Sequence, residues 1–173
     1  KNMSAQQSVL AVANQHVDQH PIEIGGDNRG PWVRLYCKGN DGRHWAWCAG
    51  FVTLVMHQAY FYRGARPPIE GSVSCDTLAA QAKEAGLFVG ERDITSGRRP
   101  WDEFDAACIF LRRRTSTDWT HTGIATGGTG EPRELVFSTI EGNTNDEGVR
   151  EGFEACRRKR GVAGGEYDFI AFT

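Results

Sequence analysis

The sequence predicts an α+β fold in which helices fill the first half of the chain and an antiparallel sheet fills the second. Three stretches before residue 90 carry apolar residues at the three- and four-residue spacing of amphipathic helices. Beyond about residue 102, short apolar runs alternate with polar and glycine-rich turns, a pattern typical of strands. Helices and strands that are segregated in this way indicate an α+β domain. The 173 residues, 39% of them hydrophobic, suffice for one core, so we expect residues 1–173 to form a single domain.

Three helices are expected before the sheet. Ser4 and Gln7 have the spacing of a capping box, which predicts a first helix that ends before Pro21. A glycine- and asparagine-rich loop and a short apolar segment follow. The second helix is expected over residues 48–62, where the proline pair that comes soon afterwards cannot continue it. The third is predicted over residues 75–85, because a glycine directly after it can form the C-terminal cap.

The sheet is expected to be built from short strands joined by turns. A glycine-rich turn at residues 127–130 and a polar loop at residues 141–148 separate the later strands. The last apolar run of the chain is interpreted as a closing strand. The strands are predicted over residues 106–111, 122–126, 134–140 and 167–173.

The composition excludes several classes of protein. A net charge of −2 gives no general argument for a nucleic-acid partner or an anionic membrane surface. No apolar run approaches the roughly 20 residues that a membrane-spanning helix needs. The polar start Lys1-Asn2-Met3 does not resemble a signal peptide. Because the first residue is not Met, we expect a processed product or a piece of a longer protein.

The five cysteines do not form a metal-binding or thioredoxin-type motif, since none belongs to a C-x-x-C pair. An odd number fits either five reduced thiols or one free thiol with up to two disulfides. Two of them lie among small or apolar residues and are interpreted as core residues, namely Cys75 and Cys108. The others are Cys37, Cys48 and Cys156.

Cys48 is the strongest candidate for chemistry. It follows a polar, glycine-rich loop and is predicted to lie on the first turn of a buried helix. At a helix N-terminus, the unpaired N–H groups and the positive end of the dipole favour a thiolate over a thiol. Such a thiolate is either a nucleophile or a metal ligand. For a nucleophile, the backbone N–H of Cys48 is a natural oxyanion donor, and a second donor is expected from the preceding loop, where His44 and Trp45 are nearest.

A base and an orienting group can complete a nucleophilic site. A cysteine nucleophile in acyl transfer needs a base that takes its proton and a group that holds the imidazole in place. His121 opens one predicted strand, and the next ends in Glu141-Gly142-Asn143. If these strands pair antiparallel, Glu141 and Asn143 return to His121 and, as alternate residues, can point to one side. We interpret the ordered set as catalytic rather than as a core cysteine and a structural histidine.

Other polar and aromatic features of the sequence indicate a function less specifically. Trp45 and Trp47 flank the cysteine, and one of them is expected to contact a substrate. The basic runs at residues 112–114 and 157–160 fit charged edge strands, with contacts to acidic substrates as the alternative. Two fragments resembling calcium loops lack the required spacing and are predicted to be turns, at residues 40–42 and 145–148. No metal ion and no cofactor are expected.

Three short motifs occur in order along the chain. They are Trp47-Cys48-Ala49-Gly50-Phe51-Val52, His121-Thr122-Gly123-Ile124 and Glu141-Gly142-Asn143-Thr144. This order resembles the CHAP domains, which are cysteine- and histidine-dependent amidohydrolases and peptidases of the papain-like NlpC/P60 superfamily. Residues 25–33 also resemble the segment before the catalytic cysteine in some bacterial and phage members. The resemblance covers most of residues 5–150, although the Gly-Asp pair common before the histidine is absent.

The resemblance implies a papain-like fold and cleavage of amide bonds in the peptide part of bacterial peptidoglycan. It implies that Cys48 is the nucleophile, His121 the general base and acid, Glu141 the group orienting the histidine, and Asn143 an auxiliary polar residue. It also implies action in the periplasm or cell wall, either as a lysin or as a toxin delivered into rival bacteria. A toxin would require an immunity protein that blocks the site.

Two other classes of function stay open at this point. A cysteine peptidase, deamidase or transglutaminase-like effector that acts on proteins would use the same three residues. A binding module on the same fold would have no activity, and the presence of Cys48, His121 and Glu141 together argues against it.

Overall fold

The computed structural model describes residues 2–144 and 152–173, which form an α+β arrangement of helices packed on an antiparallel sheet. The predicted fold class is therefore confirmed at this level. The α-helices are α1 (Ala5–Val17), α2 (Pro31–Tyr36), α3 (Cys48–Tyr62), α4 (Cys75–Glu84) and α5 (Glu91–Thr95). The strands are β1 (Phe88–Val89), β2 (Cys108–Thr115), β3 (Asp118–Thr129), β4 (Val136–Thr144), β5 (Glu154–Gly161) and β6 (Tyr167–Ile170).

Local sequence signals account for the ends of the longer helices. At the start of α1, the Ser4 side chain accepts from the Gln7 N–H at 3.1 Å, and the Gln7 side chain accepts from the Ser4 N–H at 2.9 Å. This is the predicted capping box. Ser74 caps α4 by accepting from the Thr77 N–H at 3.3 Å. None of the helices in the described ranges combines the length and apolar character that crossing a membrane requires.

The sheet has the strand order β1-β6-β2-β3-β4-β5, and every neighbouring pair is antiparallel. The predicted pairing of the histidine strand with the strand after it is confirmed, with Ile124 opposite Ile140. Strand β3 begins at Asp118, so His121 lies inside it rather than at its start. Residues 127–129 belong to the strand and not to the predicted glycine-rich turn.

The final strand β6 lies inside the sheet between β1 and β2 rather than at its edge. The basic run at residues 157–160 lies in β5, an edge strand as predicted. The run at residues 112–114 lies in β2, which pairs on both sides, so the edge prediction is wrong there.

The prediction of a polar loop over residues 141–148 is wrong for residues 141–144. Residues 141–144 continue β4 and are fully buried, and the later residues lie outside the described part of the chain. The turn predicted at residues 145–148 lies outside it as well.

Apolar residues cover both faces of the sheet. Helices α1, α3 and α4 pack on one face, and α3 lies against β3 and β4. A smaller aromatic cluster covers the other face with help from α5 and the turn at Trp101–Glu103. Since β3 and β4 are interior strands under α3, polar side chains at their ends are held out of water near the start of that helix.

Candidate active site

Cys48 is the first residue of α3, as predicted, and only 3% of it is exposed. Its backbone N–H lies at the first helical position, where no intrahelical acceptor exists. The start of α3 is pressed against α2, since a Cβ added at Gly50 would lie 2.3 Å from the carbonyl oxygen of Tyr36. Only glycine at position 50 allows the two helices to come this close. The start of α3, with Cys48, is therefore buried against α2.

His121 is held by Glu141 across the paired strands. The Nε2 atom of His121 lies 2.7 Å from Oε1 of Glu141, and both side chains are almost completely buried. Because β3 and β4 run antiparallel, the end of β4 returns to the histidine as the sequence predicted. Of the two predicted acceptors, Glu141 is the one that orients the ring.

The second ring nitrogen of His121 is the one that can interact with Cys48, because Glu141 occupies the first. Its Nδ1 is buried and makes no regular hydrogen bond to any described residue. The imidazole nonetheless lies close enough to the Cys48 thiol for each group to shift the other's pKa.

The electrostatics of the pair favour a thiolate facing an imidazolium. The pKa of Cys48 lies well below its usual value because the Cys75 thiol donates to it, and His121 and the Ala49 N–H lower it further against the effect of burial. Burial lowers the pKa of His121, but its interactions with Cys48 and Glu141 outweigh burial and raise the pKa to about 8. The proton therefore resides on the histidine at neutral pH.

Glu141 is itself held by a network that the sequence analysis missed. Arg160 on β5 donates from Nε to Oε2 at 2.7 Å and from its second terminal nitrogen to Oε1 at 2.6 Å. Thr139 donates to Oε2 at 2.5 Å. Burial raises the pKa of Glu141, but the Arg160 and His121 interactions lower it to about 2. Between about pH 2 and pH 8, an ionised Glu141 therefore faces a protonated His121.

Arg160 also contacts aromatic rings. Its guanidinium lies 5.2 Å from the centroid of the Phe110 ring and donates to the Tyr167 hydroxyl at 3.2 Å. Alternation along β5 could have revealed this role, because Arg157 and Lys159 are exposed while Arg160 is buried on the other side of the strand. The charged-edge prediction for residues 157–160 is wrong for Arg160.

Cys75 lies next to Cys48, although the sequence predicted only a core position for it. It is buried, as expected, but its Sγ lies 3.9 Å from Sγ of Cys48. All five cysteines lie in the described residues, and none is in a disulfide. The site therefore contains two neighbouring thiols.

The remaining predicted residues lie in different environments. Asn143 is buried at an irregularity of the β4–β5 register, and its φ of 51° breaks the simple alternation expected between it and Glu141. Trp47 is fully buried, stacks on Tyr36 and donates to Glu23 at 2.9 Å. Partly exposed Trp45 is therefore the one of the tryptophan pair with surface to offer a substrate.

Trp45 does not supply the second oxyanion donor in this conformation. Its backbone N–H donates to the Gly42 carbonyl at 2.8 Å, so of the two predicted candidates only His44 is left. The turn predicted at residues 40–42 is organised by Asp41, which accepts from the Gly30 N–H at 3.1 Å and from Arg34 at 2.8 Å. Within residues 2–144 and 152–173, no cluster of three or more His, Cys, Asp and Glu side chains is arranged to hold a metal ion.

The pKa shifts predict an unusual pH profile for alkylation of Cys48. We expect its reaction rate with iodoacetamide to fall less steeply on acidification than that of an ordinary thiol, which reacts about tenfold more slowly for each pH unit below a pKa of about 8.5. Cys37 is the internal control, because burial and the Cys48 charge raise its pKa to about 12. Peptide mass spectrometry after short labelling pulses measures both rates. A Cys48 rate that climbs in parallel with that of an unfolded control would contradict the ion pair.

Comparison with protein-family models, curated proteins and solved structures finds no significant match for this chain. Its chemistry is therefore inferred from the geometry of the site and from the order of the three motifs.

Proposed function

We propose that this protein is a cysteine hydrolase that cleaves amide bonds in the peptide part of bacterial peptidoglycan. The observation that carries the proposal is the arrangement of Cys48 at a helix start beside His121, with Glu141 fixing the other side of the imidazole at 2.7 Å. We also propose that the α+β fold is of the papain-like NlpC/P60 type, since the three motifs resemble CHAP domains in their order.

In the acylation step, the Cys48 thiolate attacks the scissile carbonyl carbon. The resulting oxyanion accepts a hydrogen bond from the Cys48 backbone N–H, which has no intrahelical partner at the start of α3. The C–N bond then breaks as Nδ1 of His121 gives its proton to the departing amine. This leaves a thioester on Cys48 and a neutral imidazole.

In the deacylation step, the neutral His121 takes a proton from water, and the hydroxide attacks the thioester. The C–S bond breaks, the carboxylic acid leaves, and the thiolate and imidazolium are restored. Glu141 keeps Nε2–H bonded throughout, so the ring presents the same nitrogen in both steps. The buried Arg160 holds the carboxylate in place while the charge on the ring changes.

The proposed substrate places the activity in the periplasm or cell wall, as a lysin or as a toxin delivered into rival bacteria. The toxin role requires an immunity protein that binds over Cys48. When directed to the periplasm of a test bacterium, the wild type is expected to lyse the cells, and Cys48→Ala is expected to leave them intact.

The direct test is mass spectrometry of purified peptidoglycan fragments after incubation with the wild type and with Cys48→Ala. We expect new fragments from the wild type only. Their masses separate cleavage next to the sugar's lactyl group from cleavage within the stem or cross-bridge. If both intact wall and soluble fragments survive a folded protein whose Cys48 is reactive, the peptidoglycan proposal fails and a protein substrate takes its place.

A further inference from the structure

Cys75 brings a second thiol against the proposed nucleophile. Its sulfur lies 3.9 Å from that of Cys48, and both side chains are buried. Each residue is the first of its helix, Cys48 in α3 and Cys75 in α4. Two helix N-termini therefore border the thiol pair, an environment that favours thiolate chemistry. No step of the proposed hydrolysis uses Cys75.

The other buried cysteines lie in different surroundings. Cys108 belongs to the cluster on the opposite face of the sheet, whereas Cys48 and Cys75 belong to the helix-side cluster. Burial raises the pKa of Cys108 above its usual value and that of Cys37 to about 12. Among the four buried cysteines, oxidation is therefore directed to the Cys48–Cys75 pair, because reactivity follows thiolate character.

We propose that Cys75 is the resolving thiol of a reversible Cys48–Cys75 disulfide that forms under peroxide. The Cys48 thiolate attacks one oxygen of hydrogen peroxide, the O–O bond breaks, and the other oxygen leaves as water after protonation. Cys75 then attacks the sulfur of the Cys48 sulfenic acid. The S–O bond breaks, the S–S bond forms, and the hydroxyl leaves as water with the proton of Cys75. The two thiols lose two electrons, and the peroxide gains them.

The geometry suits this reaction. The sulfurs must move from 3.9 Å to the bonded distance of about 2.05 Å. Rotation about the Cα–Cβ bond of either cysteine moves its sulfur through a distance of that order. The neighbour also intercepts the sulfenic acid before a second peroxide can oxidise it irreversibly.

The regulatory consequence rests on the proposed hydrolase function, whereas formation of the bond does not. With its sulfur in a disulfide, Cys48 cannot attack a carbonyl, so hydrolysis stops. A dithiol reductant such as dithiothreitol returns both thiols and restores activity. The disulfide thus stops hydrolysis while peroxide is present and protects the nucleophile from irreversible oxidation until a reductant restores it.

The test treats the wild type, Cys75→Ser and Cys37→Ser with about two molar equivalents of hydrogen peroxide, the amount that takes one thiol to the sulfinic acid, and measures intact and peptide masses. The wild type and Cys37→Ser are expected to lose about 2 Da and to give one linked peptide pair joining Cys48 to Cys75. Cys75→Ser is expected to gain about 32 Da on Cys48 and to resist reduction. Cys75→Ala repeats the test with a side chain suited to the buried position, and thermal melts verify that each variant is folded.

The proposal is overturned if the wild type gains sulfinic acid on Cys48 as fast as Cys75→Ser does, or if the disulfide joins other cysteines. These readouts need no substrate, so they are independent of the peptidoglycan test. If the linked Cys48–Cys75 peptide forms but the protein does not cleave the wall, the disulfide proposal holds and only the hydrolase proposal fails. Wall cleavage that persists at full rate in the disulfide form overturns the switch.

Discussion

Replacement of Cys48 by alanine is expected to lower turnover by roughly 10⁴-fold or more, and His121→Ala is expected to do the same. The two residues act as a unit, because the thiolate requires the imidazolium and the leaving amine requires its proton. The double variant should therefore be no slower than either single variant. Release of peptidoglycan fragments, quantified by mass spectrometry, measures the rates.

Cys108→Ala is the matched control for this series. It also removes a buried thiol, but from the cluster on the opposite face of the sheet. We expect it to keep near-normal turnover with a modest loss of stability, since only a small core side chain is truncated. Equal losses in Cys108→Ala and Cys48→Ala would show that the effect is structural and would remove Cys48 from the mechanism.

Replacement of Arg160 by methionine is expected to lower the free energy of unfolding by about 3–5 kcal/mol, which corresponds to roughly 10 °C in the melting temperature. The substitution leaves the Glu141 carboxylate buried without the two hydrogen bonds that Arg160 donates to it. Urea unfolding at pH 7 measures the loss. Turnover should fall as well, because Glu141 then no longer holds His121 in one orientation.

Arg157→Met is the matched control on the same strand. Arg157 also pairs with a carboxylate, but both it and Asp18 are more than half exposed, so we expect a change below about 1 kcal/mol. The Arg160→Met loss should shrink on acidification, because the native carboxylate without its cation binds a proton at higher pH than the wild-type Glu141, whose pKa is about 2. A loss that is equal for both arginines, or independent of pH, would contradict the buried network.

Stability should also depend on His121 at alkaline pH. The pKa of this residue is raised in the folded protein from 6.5 to about 8. Its stabilising contribution is therefore complete below about pH 6.5 and disappears as the pH rises through about 8. This window is opposite in direction to that of Glu141, whose contribution disappears as the pH falls from about 4.5 towards 2.

Short-range signals made much of the helical half predictable. The capping box of Ser4 and Gln7 lies within one helical turn, and the limits of α3 follow from an apolar face between a polar loop and a proline pair. The return of Glu141 to His121 was predictable too, because a short connection between neighbouring strands brings their far ends together. These inferences need only residues that are near in sequence or joined by one hairpin.

The sequence by itself thus determined the fold class and the order of a cysteine, a histidine and a carboxylate that can perform acyl transfer. Only the tertiary structure decided what surrounds them. Arg160 reaches Glu141 because β5 pairs with β4, and Cys75 reaches Cys48 because the starts of two helices meet. Neither contact has a local signature, since strand register and helix packing are set by burial across the whole core. A basic run and a cysteine among apolar residues therefore looked like surface and core until the chain was folded.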